Sequence, residues 1–146
     1  MGGQTDTDTF ASRVVLRKEK GGEAQALHLL EQARLFFAVR PEVLSDFRLA
    51  VLEACLNALE HGQPPVEVEV EAHRQEDGVH FRVRVIDHGP GFQPEAVPQP
   101  QLADKLSSPR KRGWGLVIMR RFSDGLAFES QPGRMVVSLY RIASGS

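Results

Sequence analysis

Two runs of seven residues alternate apolar with charged or polar side chains almost without a break: Val66-Glu-Val-Glu-Val-Glu-Ala72 and Val79-His-Phe-Arg-Val-Arg-Val85. Only an extended strand sends successive side chains to opposite faces, so each run predicts a strand with one dry and one wet face. Asp77-Gly78 lies in the connection between them, and together they read as a hairpin. Val66, Val68, Val70, Val79, Phe81, Val83 and Val85 then face a core. Glu67, Glu69 and Glu71 face Arg82 and Arg84 on the other side, as a solvated sheet surface rather than a binding patch. Such a sheet needs apolar cover on its dry face alone. The expected architecture is therefore a two-layer α/β sandwich, its sheet mixed but mostly antiparallel, with the helices on one face. At 146 residues and 41% hydrophobic, the chain has the length and apolar content for one domain, expected over residues 10–142 with tails at 1–9 and 143–146.

The cover is legible as helical periodicity. Between Glu23 and Val39, the residues Ala26, Leu27, Leu30, Ala33 and Phe37 recur at spacings of three and four, with Glu31 and Arg34 on the opposite side. Pro41 opens a second helix, which Gly62 and Pro64-Pro65 close. This helix has almost no solvent face, because Leu49 to Leu52, Ala54 to Leu56, Ala58 and Leu59 surround it with apolar side chains. A first strand is expected over Phe10–Arg17, a third helix over Trp114–Phe122, and a closing hairpin of Leu126–Ser130 and Met135–Arg141 turning at Pro132-Gly133. Gln93–Pro109 carries four prolines and reads as a long loop with at most a short helix near Leu102–Leu106. A loop of that length inside a compact domain is usually functional, often a lid.

Composition removes several classes of function. Eighteen basic against nineteen acidic residues leave a net charge of -1, which supplies no global field for nucleic acid or an anionic membrane. No apolar run approaches the roughly 20 residues that span a bilayer, and the N-terminus has neither half of a signal peptide, so a cytoplasmic location is expected. Cys55, the single cysteine, lies among apolar residues mid-helix and reads as a small buried hydrophobe. The histidines show no spacing suited to a structural zinc.

Against this background the buried helix carries a polar seam. Glu53 and Asn57 are four apart and so share one face, and His61 extends the line, although a histidine in a last turn more often serves the helix end. Two glycine clusters accompany the seam. Asp87 ends the strand Val79–Ile86 within Asp87-His-Gly89-Pro-Gly91-Phe92, where the carboxylate either accepts a hydrogen bond from an amino group of a ligand or caps the turn. Gly113-Trp-Gly115-Leu116 opens the third helix behind Arg110-Lys111-Arg112, and is either a set of free amides for phosphate or a tight turn with ordinary flanking charges. Trp114 reads as an aromatic that packs on the loop, and Arg120 and Arg121 as a solvated face.

A helix with Glu four before Asn, a strand ending in D-x-G-x-G-F, a long loop and G-x-G-L at a helix start together resemble the GHKL (histidine kinase-like) ATPase superfamily. Within it, E-A-x-x-N-A-x-x-H-G and R-G-W-G-L-V-I-M-R-R-F-S-D look most like the bacterial anti-sigma factor serine-protein kinases. The resemblance runs from about Phe10 to Ile142 and implies a Bergerat-type ATP-binding fold with ATP and Mg²⁺ as cofactors. It implies that Asn57 coordinates Mg²⁺ and that Asp87 accepts from the adenine amino group, with Gly89, Gly91 and Phe92 shaping the base pocket. Gly113, Gly115 and Leu116 would offer backbone amides to the phosphates, one of Arg110, Lys111 and Arg112 in the lid would meet the γ-phosphate, and Glu53 would be the catalytic base. The implied activity is phosphorylation of a serine on an anti-anti-sigma (STAS-type) protein, alternating with sequestration of a sigma factor, by a homodimer. Two other readings stay open: an ATP-binding regulator without kinase activity, and the detached ATPase half of a histidine kinase.

Overall fold

The computed structural model describes residues 8–19, 21–89 and 114–144. In chain order these form β1 (Thr9–Val15), α1 (Ala24–Phe36), a 3-10 turn (Pro41–Val43), α2 (Ser45–His61), β2 (Glu67–Gln75), β3 (Gly78–Asp87), α3 (Trp114–Arg121), β4 (Gly125–Gln131) and β5 (Arg134–Ala143). The strands lie in the order β1-β2-β3-β5-β4, and every pairing among them is antiparallel. The expected parallel component does not occur among the described residues. α1 packs over β1 and β2, α2 lies over β3 and β5, and α3 rests against α2. All three helices therefore share one sheet face.

The alternation of β2 and β3 is obeyed residue by residue. Val68, Val70, Phe81, Val83 and Val85 are buried beneath the helices, where each side chain contributes about 1.5–3 kcal/mol. On the opposite face Glu71 meets Arg82 at 2.5 Å, Glu69 meets Arg84 at 3.0 Å, and Arg13 reaches across from β1 to Glu67 at 2.5 Å. These pairs are partly exposed, so each adds at most about 1 kcal/mol and mainly specifies register. The wet face has limits: Ile86 and Val136, directly paired on it, are buried as well.

Several boundaries differ from the sequence expectation, among them the strand ends at Val15 and Ala143. α1 ends at Phe36 rather than Val39, because Ala38 takes the left-handed conformation (φ 55°) that usually calls for glycine and so leaves no sequence mark. Arg34 closes this end, donating to the Val39 carbonyl at 2.7 Å and to both oxygens of Glu31. The guanidinium holds the Glu31 carboxyl below its ordinary value. The stability this pair adds is complete at neutral pH and is lost as the pH falls through the lowered value. Pro41 opens a 3-10 turn, and the α-helical turns begin only at Ser45. In the first hairpin the two tip residues are Glu76 and Asp77, with Gly78 already paired to Gln75.

Candidate functional site

The seam of α2 survives folding as a real juxtaposition. Glu53 is buried, with 8% of its surface exposed, although it projects from a helix whose other buried side chains are all apolar. Asn57 is half-buried one turn further on. Opposite them lies the first turn of α3, pressed so close that a methyl group on Gly115 would stand 2.6 Å from Asn57 Nδ2 and 2.9 Å from Glu53 Oε2. Only a residue without a Cβ lets the start of that helix approach both groups. Leu116, 6% exposed, anchors the same turn in the core. Glu53, Asn57, Gly115 and Leu116 are thus one constellation: a carboxylate and an amide set against the start of a helix.

Asp87 occupies the other end of α2. It is buried at 7% exposure, and its Oδ1 accepts a hydrogen bond from the Gly89 amide at 2.8 Å. The next amide, of His88, donates to the Gln63 carbonyl at 3.0 Å, clasping the end of β3 to the segment that leaves α2. One carboxylate oxygen therefore makes the Asx-type turn, while Oδ2 has no hydrogen-bond partner among the described residues. Both readings of Asp87 are compatible with this geometry, because a carboxylate has two oxygens and the turn takes one.

Gly62 not only ends α2 but also packs directly against Asp87. Its own backbone is extended (φ -86°, ψ -175°), so a left-handed conformation is not what requires glycine. A Cβ there would lie 2.5 Å from Asp87 Cγ and 2.7 Å from the Ala58 carbonyl. Gly62→Ala is expected to push Asp87 from its seat, lowering stability by about 1–3 kcal/mol and weakening any ligand held by that carboxylate. Thermal unfolding and ligand titration of this variant check both effects. An unchanged melting temperature with unchanged binding contradicts the packing account. No sequence signal ties Gly62 to Asp87, because their contact depends on how α2 meets β3.

The remaining candidates separate cleanly. His61 is in the last turn of α2, but its side chain is 78% exposed and stands 3.7 Å from Glu60, so it belongs to the helix end and the surface. Cys55 is fully buried, and burial pushes its thiol up to about 12, which leaves it a small hydrophobe without thiolate chemistry at neutral pH. Arg120 and Arg121 are exposed, as a solvated face requires. Gly91, Phe92, Lys111, Arg112 and Gly113, together with the expected lid over Gln93–Arg112, lie outside the described residues.

As a group, the described residues fit a magnesium nucleotide. Asn57 brings an amide oxygen, Glu53 a carboxylate, Gly115 and Leu116 the start of a helix, and Asp87 an oxygen left over from its turn. A hard cation that keeps water and phosphate ligands needs few protein groups.

A family model described as a histidine kinase-like ATPase domain matches residues 18–141. Anti-sigma F factors from Thermoanaerobacter sp. (strain X514) and Thermoanaerobacter pseudethanolicus (strain ATCC 33223 / 39E) are each 32% identical over 94 residues. The match covers 64% of this chain and spans 65% of the length of each relative. Among solved structures, the RsbU and RsbW domains of Rv1364c from Mycobacterium tuberculosis superpose with a TM-score of 0.64 at 18% identity, over 94% of this chain and 33% of that one. A chain of the SiaB-SiaC complex from Pseudomonas aeruginosa gives a TM-score of 0.54 at 18% identity, over 97% of this chain and 94% of that one. At that identity the two structures speak for the fold alone.

Proposed function

The chain belongs to the histidine kinase-like ATPase family, and from that premise we propose that it is an ATP- and Mg²⁺-dependent protein serine kinase that doubles as an anti-sigma factor. The observation that carries the kinase half is Glu53. Holding a nucleotide calls for Asn57 and Asp87, but it gives no reason for a carboxylate kept 8% exposed at the end of the seam away from Asp87. Beside Asn57 and the start of α3, a carboxylate is placed to accept a proton from an attacking hydroxyl. The anti-sigma half is supported by the relatives, since two proteins 32% identical over 94 residues are anti-sigma F factors.

In this reading Asp87 Oδ2 accepts from the adenine amino group. Asn57 holds Mg²⁺, whose contribution when bound is to neutralise phosphate charge. Gly113, Gly115 and Leu116 present amides to the phosphates, and one of Arg110, Lys111 and Arg112 neutralises the γ-phosphate from the lid. Gly89, Gly91 and Phe92 line the base pocket. Glu53 takes the proton of a serine hydroxyl as that oxygen bonds to the γ-phosphorus and the bond to the bridging oxygen breaks, releasing ADP. Such a transfer asks the protein mainly for positioning and electrostatics.

The acceptor is an anti-anti-sigma protein of the STAS type and the second partner a sigma factor, with nucleotide or phosphorylation state selecting between them. A cytoplasmic location belongs to the same proposal; no helix among the described residues is long and apolar enough to cross a membrane. Incubation with γ-labelled ATP, Mg²⁺ and purified STAS-type proteins tests the kinase. Label on a partner serine is expected. Bound nucleotide without transfer to any cognate partner would leave the ATP-binding regulator in its place.

The functional unit in this proposal is a homodimer. β1 closes one side of the sheet, and beside it Leu35 and Phe36 at the end of α1 are 60% and 47% exposed. The Phe36 ring stands 5.8 Å from Phe10 of β1, so helix end and strand form one apolar margin. Sedimentation equilibrium is expected to give twice the chain mass for the wild type and the monomer mass for Phe36→Asp. A wild-type monomer at high micromolar concentration contradicts the dimer.

A further inference from the structure

α2 exposes one large apolar side chain, and its position is specific. Leu49 is 47% exposed on a helix whose other leucines are at least half-buried. It lies four residues before Glu53, about 6 Å down the axis and on nearly the same stripe. Asp46, a further three residues back and about 10 Å from Glu53 along the axis, completes the row. Asp46 is exposed and has no ion-pair partner among the described residues. Its neighbour Arg48 points the other way, toward Glu31 of α1 at 3.9 Å. The stripe that carries the proposed base thus continues outward as an apolar contact and then an open negative charge.

Either feature alone has an ordinary explanation. A single exposed leucine is common on protein surfaces, and an aspartate in a first turn favours the helix dipole. Their alignment with Glu53 is what gives them a joint use. A segment lying along α2 in extended form advances about 3.3 Å per residue and returns to the same face every second residue. With its serine at Glu53, the second residue along reaches Leu49, and a long basic side chain two residues further reaches Asp46.

We propose that Asp46 and Leu49 are specificity-determining residues that select a phosphoacceptor segment in which, running from the serine toward Asp46, an apolar residue stands two positions away and a Lys or Arg four positions away. The proposal rests on the phosphoryl-transfer reading of Glu53. The apolar contact removes water beside the reacting hydroxyl, and the charge pair fixes the direction of the segment.

The test uses STAS-type proteins of the source organism, purified singly, as acceptors with γ-labelled ATP and Mg²⁺. Leu49→Gln and Asp46→Lys are each expected to lower kcat/KM for the acceptor about tenfold, chiefly through its KM, with the KM for ATP unchanged. Replacing the acceptor's basic residue by Glu is expected to restore at least part of the loss in Asp46→Lys and to weaken the wild type, a reciprocal effect that a merely structural Asp46 would not produce. Wild-type kcat/KM in both variants overturns the proposal while leaving the kinase intact, as does a loss confined to kcat or to the KM for ATP. Absence of transfer by the wild type to every acceptor removes the kinase reading, and this proposal with it.

Discussion

Glu53→Ala is expected to bind ATP as the wild type does and to transfer its γ-phosphoryl group about 10²–10⁴ times more slowly, the range that a positioned general base supplies. The separation of the two effects follows from the layout of α2. Glu53 stands at the opposite end of the seam from Asp87, with Asn57 and the start of α3 between them. Removing its carboxylate leaves the groups proposed to hold base, metal and phosphates in place, and takes away the buried seam group able to accept a proton. Asn57 cannot substitute, since a neutral amide is not a base at any accessible pH. Single-turnover transfer to the acceptor, measured beside equilibrium ATP binding, reads both quantities. Equal transfer by wild type and variant would remove Glu53 from the chemistry and return it to a structural role at the α2–α3 contact.

Asn57→Ala is expected to give the complementary result. Its amide is the described group best suited to a metal held mainly by phosphate and water, so its loss should weaken Mg·ATP binding at least about tenfold while metal-free ATP binding changes little. The side chain also touches the first turn of α3, at 2.6 Å from the position a Gly115 Cβ would take, so some loosening of that helix accompanies the substitution. Titrations with Mg²⁺ and with EDTA separate these contributions. A metal-linked loss is seen only with Mg²⁺, whereas a loosened α3 weakens binding in both. Loss of equal size in both would contradict the metal assignment.

The parts of this protein that could be read in its sequence are those fixed by short-range periodicity. The strict alternation around Val68 and Val83 determined which face is dry, and one dry face put all three helices together. The strand ends at Val15 and Ala143 and the early stop of α1 at Ala38 were less visible, because burial and a left-handed alanine leave no compositional mark. The polar seam was conspicuous for the opposite reason: a carboxylate and an amide contradict their surroundings, and such conflicts gather at functional sites. What the sequence withheld was contact across elements. That Gly115 meets Glu53 and Asn57, and that Gly62 leaves room for Asp87, follows from how α2 packs against α3 and β3, which no spacing encodes.

In the proposed adenine nucleotide site α2 is the floor, with Asp87 at the base end. This placement is tested most directly by titrating ATP into wild type and Asp87→Ala, with GTP in parallel. A carboxylate oxygen that accepts from an amino group favours adenine and repels the guanine carbonyl at the corresponding ring position. The wild type is expected to bind ATP saturably, one per chain, and GTP far more weakly, and Asp87→Ala should lose at least about tenfold in ATP affinity, the usual value of a buried charged hydrogen bond. Wild-type protein that binds no ATP, or Asp87→Ala that binds ATP as tightly as wild type, would contradict the account.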